Sequence, residues 1–163
     1  MPCDKLIDYL TGNSVAFKLV NHPSAFAAQD VAFKSGVPGR VFAKTVMVTL
    51  DGEMAMAVLP ADSRIDFHLL REAARAETIA LCLEADFEEI FPDCELGAMP
   101  PFGNLYGMPV FVSGNLIRAE TISFNAGNHT EVITMPYHDF ERLVKPRIGF
   151  FSFRRPLARK AWA

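Results

Sequence analysis

Val41-Phe42-Ala43-Lys44-Thr45-Val46-Met47-Val48-Thr49-Leu50 reads as a β-strand that meets a turn signal at Asp51-Gly52 and returns over residues 53–59. Successive side chains on a strand point to opposite faces, so Phe42, Lys44, Val46, Val48 and Leu50 share one face. Val41, Ala43, Thr45, Met47 and Thr49 make up the other, more polar one. The first set belongs against the core, and Lys44 is in it. A lysine on a core face is costly unless its ammonium reaches water or an anion. Taken alone, the position suits a lysine near a strand end that snorkels its head to the surface.

Outward from this hairpin the pattern is mixed. Towards the N-terminus, the leucine and isoleucine spacing of residues 4–10 predicts a short amphipathic helix that stops at Gly12-Asn13. Residues 15–20 are strand-like and lead into the turn Asn21-His22-Pro23, and the alanine-rich residues 25–34 predict a helix stopped by Ser35-Gly36. Past the hairpin, Ser63 with Asp66 resembles a capping box for a helix over residues 67–75, with Leu69, Leu70 and Ala73 inward. Residues 79–83 predict a strand and residues 85–91 a helix stopped by Pro92. Residues 96–109 hold too many glycines and prolines for a regular element but keep large apolar side chains, which predicts a packed, shaped loop. Strands follow over residues 110–112, 121–125 and 131–135, then an amphipathic helix over residues 137–144. Strict strand–helix alternation is absent, so the expected fold is a single α+β domain with a mixed, partly barrel-like sheet surrounded by helices.

With 163 residues, half of them apolar and 21% charged, the chain has the composition of an ordinary globular domain. Its net charge of −3 excludes neither acidic nor basic partners. No apolar run suggests a membrane span, and Met1-Pro2-Cys3-Asp4-Lys5 lacks a signal-peptide pattern. Cys3, Cys82 and Cys94 form an odd set with no CxxC pair, which argues against a disulfide framework and a zinc site. A reduced, cytoplasmic location is the expectation. The domain is expected over residues 1–146, followed by a basic, aromatic tail over residues 147–163 that contains no acid. That tail suits nucleic-acid backbone contact, a solvated end, or packing of Phe150, Phe151 and Phe153.

Three features are candidates for chemistry: Lys44, the glycine-proline loop, and the turn before His129. Glycines in a loop let a ligand approach backbone carbonyls and amides closely. A histidine in a turn is ordinarily a surface residue, and His22, His68 and His138 show no ligand spacing with His129. No nucleophile elbow, Walker loop or dinucleotide fingerprint occurs, and Glu88-Glu89 reads as a solvated helix face. Cys82 sits in an apolar run and looks structural.

Phe42-Ala43-Lys44-Thr45-Val46, then Gly97-Ala98-Met99-Pro100-Pro101-Phe102-Gly103, then Phe124-Asn125-Ala126-Gly127-Asn128-His129 occur in this order. Together they resemble the YbaK and prolyl-tRNA synthetase-associated editing-domain family. The resemblance implies hydrolysis of the ester that links a wrong amino acid to the 3′ end of a tRNA, by a free-standing, trans-editing deacylase. It implies no metal, no cofactor and no conventional protein nucleophile, with a ribose hydroxyl of the substrate assisting the water. Carried over by motif, Lys44 contacts the terminal adenosine or its phosphate. Gly97 and Pro101 bound the aminoacyl pocket with backbone groups, and His129 orients the aminoacyl end or ribose. Thr45, Met99, Phe102, Gly103, Asn125 and Gly127 are the expected substrate-binding positions. Where some members carry an acid near the end of a preceding strand, this chain has Val112-Ser113-Gly114. The implied partners are an aminoacyl-tRNA acceptor end and a cognate synthetase, with no membrane and no DNA. Two rivals stand beside this reading: a non-catalytic module that binds a tRNA end or nucleotide-like ligand, and an unrelated hydrolase using Cys82 or Cys94.

Overall fold

A computed structural model, which describes residues 3–154, contains the expected hairpin. In chain order the elements are α1 (Asp4–Gly12), β1 (Lys18–Asn21), α2 (Ala28–Ser35), β2 (Ala43–Leu50), β3 (Glu53–Pro60) and β4 (Ser63–Ile65). Next come α3 (Phe67–Ala74), β5 (Ile79–Leu81), α4 (Glu84–Phe87) and a short 3₁₀ helix (Gly103–Tyr106). The chain continues with β6 (Val110–Ser113), β7 (Thr121–Asn125), β8 (Glu131–Pro136), α5 (Tyr137–Val144), β9 (Arg147–Gly149) and β10 (Ser152–Arg154). Strands β2 and β3 pair from Ala43↔Pro60 to Leu50↔Glu53. Asp51 and Gly52 at the turn both have positive φ, 51° and 81°, as a two-residue hairpin loop of the primed type requires. The Asp51 carboxylate also accepts the Glu77 and Thr78 backbone N–H groups at 2.9 and 2.8 Å, which fastens the turn to the start of β5.

The sheet built on this hairpin runs β5-β2-β3-β6-β9. Its first three strands are antiparallel, while β6 and β9 run parallel to their neighbours, so it is a mixed sheet. A second, antiparallel sheet has the order β1-β8-β7, and β10 pairs with β4. The α+β expectation holds, but among the described residues the sheets do not close into a barrel. Closure needs a continuous ladder, and the two sheets are joined only by an isolated bridge, Phe42↔Ser123, just before β2. Further along, that edge of β2 is used by β5 and by the Cys82 N–H, which donates to the Met47 carbonyl at 3.0 Å.

Both faces of β2 are covered. Val48 packs with Ala55, Ala57, Leu59, Leu70, Phe111 and Phe151. The face expected to be more polar is buried too: Ala43 and Met47 join Met56, Val58, Val110 and Val112 in the larger core. Alternation along β2 could not show this, because the cover comes from distant segments, α1 (Leu6, Leu10), Phe102 and the second sheet (Ile122, Phe124, Ile133).

Other boundaries shift for local reasons. Ser63 is not a helix cap but lies in β4; Asp66 caps α3, its carboxylate accepting the Leu69 N–H at 3.0 Å. Leu70 is fully buried, whereas Leu69 is 41% exposed. Helix α2 starts at Ala28, after a segment held extended by the Ala25 N–H donating to the His129 carbonyl at 3.2 Å. The fold also continues past residue 146. Strand β9 pairs with β6, β10 pairs with β4, and Phe151 is fully buried between them. The remainder of the expected tail, residues 155–163, lies outside the described residues.

Candidate active site

Three hydrogen bonds fasten the glycine-proline loop to the turn that carries His129. The Glu95 N–H donates to the Gly127 carbonyl at 2.8 Å, and the Glu95 carboxylate accepts the His129 N–H at 3.2 Å. His129 Nε2 donates to the Leu96 carbonyl at 2.8 Å. A carbonyl can only accept, so Nε2 carries the hydrogen and Nδ1 is left as the ring's other site. Nδ1 is buried with no hydrogen-bond partner among the described residues. Gly97 sits over this ring with φ at +84°; a Cβ there would lie 3.6 Å from His129 Cε1, so its backbone conformation, not space, calls for glycine. The turn is shaped by Asn128, whose side-chain oxygen accepts the N–H groups of Thr130 and Glu131 at 3.0 and 2.8 Å.

Residues 25–28 connect this cluster to Lys44. Phe26, 72% exposed, lies over His129 with ring centroids 4.6 Å apart. Two residues on, Ala28 helps line a cavity of about 350 Å³ with Gln29, Lys44, Asp62 and Arg64. The first turn of α2 thus faces this cavity, and its N-cap Ala27 has no side chain that could occupy the free N–H groups. Lys44 is half-buried and has no hydrogen-bond or ion-pair partner among the described residues. Burial, and then the Arg64 guanidinium, push its amine below the usual lysine value, and the Asp62 carboxylate partly offsets them. The core-face placement of Lys44 holds, and its head is directed to a polar cavity.

The other expected positions divide into two groups. Thr45 Oγ1 and Asn125 Oδ1 are, like His129 Nδ1, buried without partners among the described residues. Buried polar atoms are almost always satisfied in native proteins, so these three atoms, like His22 Nε2 and Tyr137 OH outside the expected set, call for a partner such as water. Met99, Phe102 and Gly103 lie beneath. Phe102 is fully buried against Tyr9, Phe124 and Phe140, Met99 is in the same core, and Pro101 is buried beside them. A Cβ on Gly103 would come within 2.7 Å of the Met108 carbonyl oxygen, so this glycine serves the packing of the 3₁₀ helix.

Phe26, Glu95, Asp62 and Arg64 were not among the expected site residues. Phe26 carries no signal in a segment whose alanines predict a helix over residues 25–34, where an aromatic is unremarkable. Glu95 carries no motif, and its role appears only once the loop folds onto the turn. Cys82 and Cys94, the two thiols of the rival hydrolase reading, are poorly suited to nucleophilic work. Burial raises Cys82, and Cys94 is raised by its contact with Cys3 and by burial.

The structure thus sets a half-buried lysine at a polar cavity and links it, through residues 25–28, to a loop-and-turn cluster on an α+β domain. The sequence matches the aminoacyl-tRNA editing domain family over residues 22–143. The chain belongs to that family, as the three motifs indicated. Comparison with curated proteins finds no match. Among solved structures, the hypothetical protein APE2540 superposes with a TM-score of 0.81 at 15% identity, covering 91% of this chain and 99% of that one. A scaffold from computational epitope grafting gives 0.80 at 13% identity, covering 95% and 97%. A proposed trans-editing enzyme for prolyl tRNA synthetase gives 0.79 at 12% identity, covering 94% and 97%. At these identities the likeness is one of fold. No helix among the described residues is long and apolar enough to cross a membrane.

Proposed function

We propose that this chain is a free-standing, trans-editing aminoacyl-tRNA deacylase. Lys44 holds the phosphate of the terminal adenosine, and the loop at Gly97 and Pro101, with His129, places the aminoacyl ester. Water adds to the ester carbonyl carbon, the bond to the ribose oxygen breaks, and that oxygen leaves with a proton. The vicinal ribose hydroxyl assists the attacking water, so the protein contributes position and charge stabilisation. The observation that carries this reading is Lys44, a half-buried cation whose burial Asp62 offsets only in part, lining a polar cavity large enough for a phosphate. The unpartnered Thr45, Asn125 and His129 atoms support it as groups available to ribose hydroxyls, the ester or water. Phe26 is placed to cover the adenine or the aminoacyl group.

The test is deacylation of a panel that includes alanyl-, seryl-, threonyl- and cysteinyl-tRNA against a no-enzyme control. Selective loss of one charged species establishes the activity and names the substrate. Charged tRNA that binds but survives gives the lead to the non-catalytic binding module.

The depressed Lys44 value predicts a pH dependence. In the ligand-free fold the charged amine is disfavoured, so its cost is present below the folded value and is relieved as pH rises towards the ordinary lysine value. Phosphate binding needs the charged form and runs the other way. Affinity for an amide-linked, non-hydrolysable aminoacyl-adenosine 5′-phosphate is expected to fall as pH rises through the folded Lys44 value, below about 10.4 where a free lysine titrates. Lys44→Arg should remove that alkaline limb. A limb that persists in the arginine variant would detach it from Lys44.

A further inference from the structure

Beyond Asp62 lies a second polar cavity, of about 260 Å³, lined by Arg40, Pro60, Asp62, Ser63, Asn115 and Arg154. It shares Asp62 and Ser63 with the Lys44 cavity, so the two stand side by side. We propose that they form a track for consecutive phosphodiesters of a single-stranded nucleic acid 3′ end, Lys44 and Arg64 holding the terminal phosphate and Arg40 and Arg154 the one before it. This rests on the reading of Lys44 given above.

The fold builds the second cavity deliberately. Pairing of β10 with β4 sets Arg154 opposite Ser63, so residues read as tail in the sequence are delivered to the site. Gly39 packs against Asp62, where a Cβ would be 3.4 Å from the Asp62 Cβ, and its carbonyl accepts the Ala61 N–H at 3.1 Å. That contact holds Arg40 at the rim. Four cations, Lys44, Arg64, Arg40 and Arg154, therefore line the pair of cavities with two carboxylates, Asp30 and Asp62. This local excess is cationic in a chain whose net charge is −3.

Asp62 pairs with Arg154 only in part. Arg154 Nε lies 3.6 Å from Asp62 Oδ2 on a side chain that is 83% exposed, a long contact in which the carboxylate meets one nitrogen of the guanidinium. Asp62 Oδ1 also accepts the Ser63 hydroxyl at 3.2 Å. The rest of the Arg154 fork can meet phosphate oxygens bidentately. Asn115, whose side-chain amide donates to Ser152 Oγ at 3.3 Å, adds a neutral hydrogen-bonding wall. Such contacts follow the backbone and carry no base preference.

The test compares two non-hydrolysable probes, each with an amide-linked aminoacyl group. One is the adenosine 5′-monophosphate used above; the other is a short single-stranded RNA ending in CCA. Wild type should bind the RNA more tightly and with the steeper salt dependence. In R40A/R154A, RNA affinity should drop roughly tenfold per arginine, the log–log salt slope should shrink by about 1.4, and the mononucleotide should bind as before. Unchanged RNA affinity and slope in the variant would overturn the track. Equal losses for both probes would also overturn it, by placing the arginines at the terminal phosphate. If wild type binds the mononucleotide but gains nothing from the longer RNA, the track fails and the Lys44 site stands. If it binds neither, the reading of Lys44 falls and the track with it.

Discussion

Lys44→Ala should lower kcat/KM for deacylation roughly 100-fold, from loss of about 2–3 kcal/mol of phosphate binding in a partly desolvated site. The fold should survive. In the free protein the Lys44 amine is half-buried and repelled by Arg64, and the Asp62 carboxylate offsets these only in part, so removing the charge should cost little electrostatic stability. What alanine does remove is the aliphatic stem, which sits beside Leu59 across the β2–β3 pair. Lys44→Met keeps most of that stem and separates the two contributions. It should lose activity as alanine does while matching or exceeding the thermal stability of the wild type. Single-turnover deacylation together with Tm for both variants checks this. Folded, fully active variants would remove Lys44 from the mechanism, and an unfolded methionine variant would make it a structural residue.

How much of this site was legible in the sequence depended on whether the determinant was local. The β2–β3 hairpin was readable because Asp51-Gly52 selects its turn and the apolar residues on either side alternate. Helix α5 and strand β7 likewise had their periodicity and stops within the segment. Lys44 was conspicuous because a cation broke an apolar face. The junction of Gly97 with His129 depends on carbonyls of Leu96 and Gly127 and on the carboxylate of Glu95, groups with no residue-type signature at that spacing. The order of the motifs supplied the grouping that local patterns lacked. Strands β4, β9 and β10 were missed since three residues are too few for a period, and their pairing is fixed by distant partners. The start of α2 was missed because Ala27 gives no capping signal.

The same dependence on a distant partner makes Gly127 a position where a small change should do large damage to the fold around the site. Its φ is +99°, in the region that disfavours a side chain. A Cβ there would also meet the Cys3 Cβ at 2.9 Å and the Cys3 nitrogen at 3.3 Å. Neither neighbour can move freely, since the Cys3 N–H donates to the Ala126 carbonyl at 2.8 Å and Cys3 is fully enclosed in the larger core. Gly127→Ala therefore combines backbone strain with overpacking and should cost about 2–4 kcal/mol of stability. The displaced turn carries His129 and the carbonyl that accepts the Glu95 N–H, so deacylation should fall even where the variant remains folded. Gly107→Ala is the control. Gly107 also has positive φ, +69°, but nothing lies within 4 Å of its missing Cβ, so only the backbone penalty of about 1 kcal/mol applies. Chemical denaturation of both variants separates the terms: the excess loss in Gly127→Ala measures the contact with Cys3. Equal losses would show that the α1 end yields to the extra methyl group, and that Gly127 is required for its backbone conformation alone.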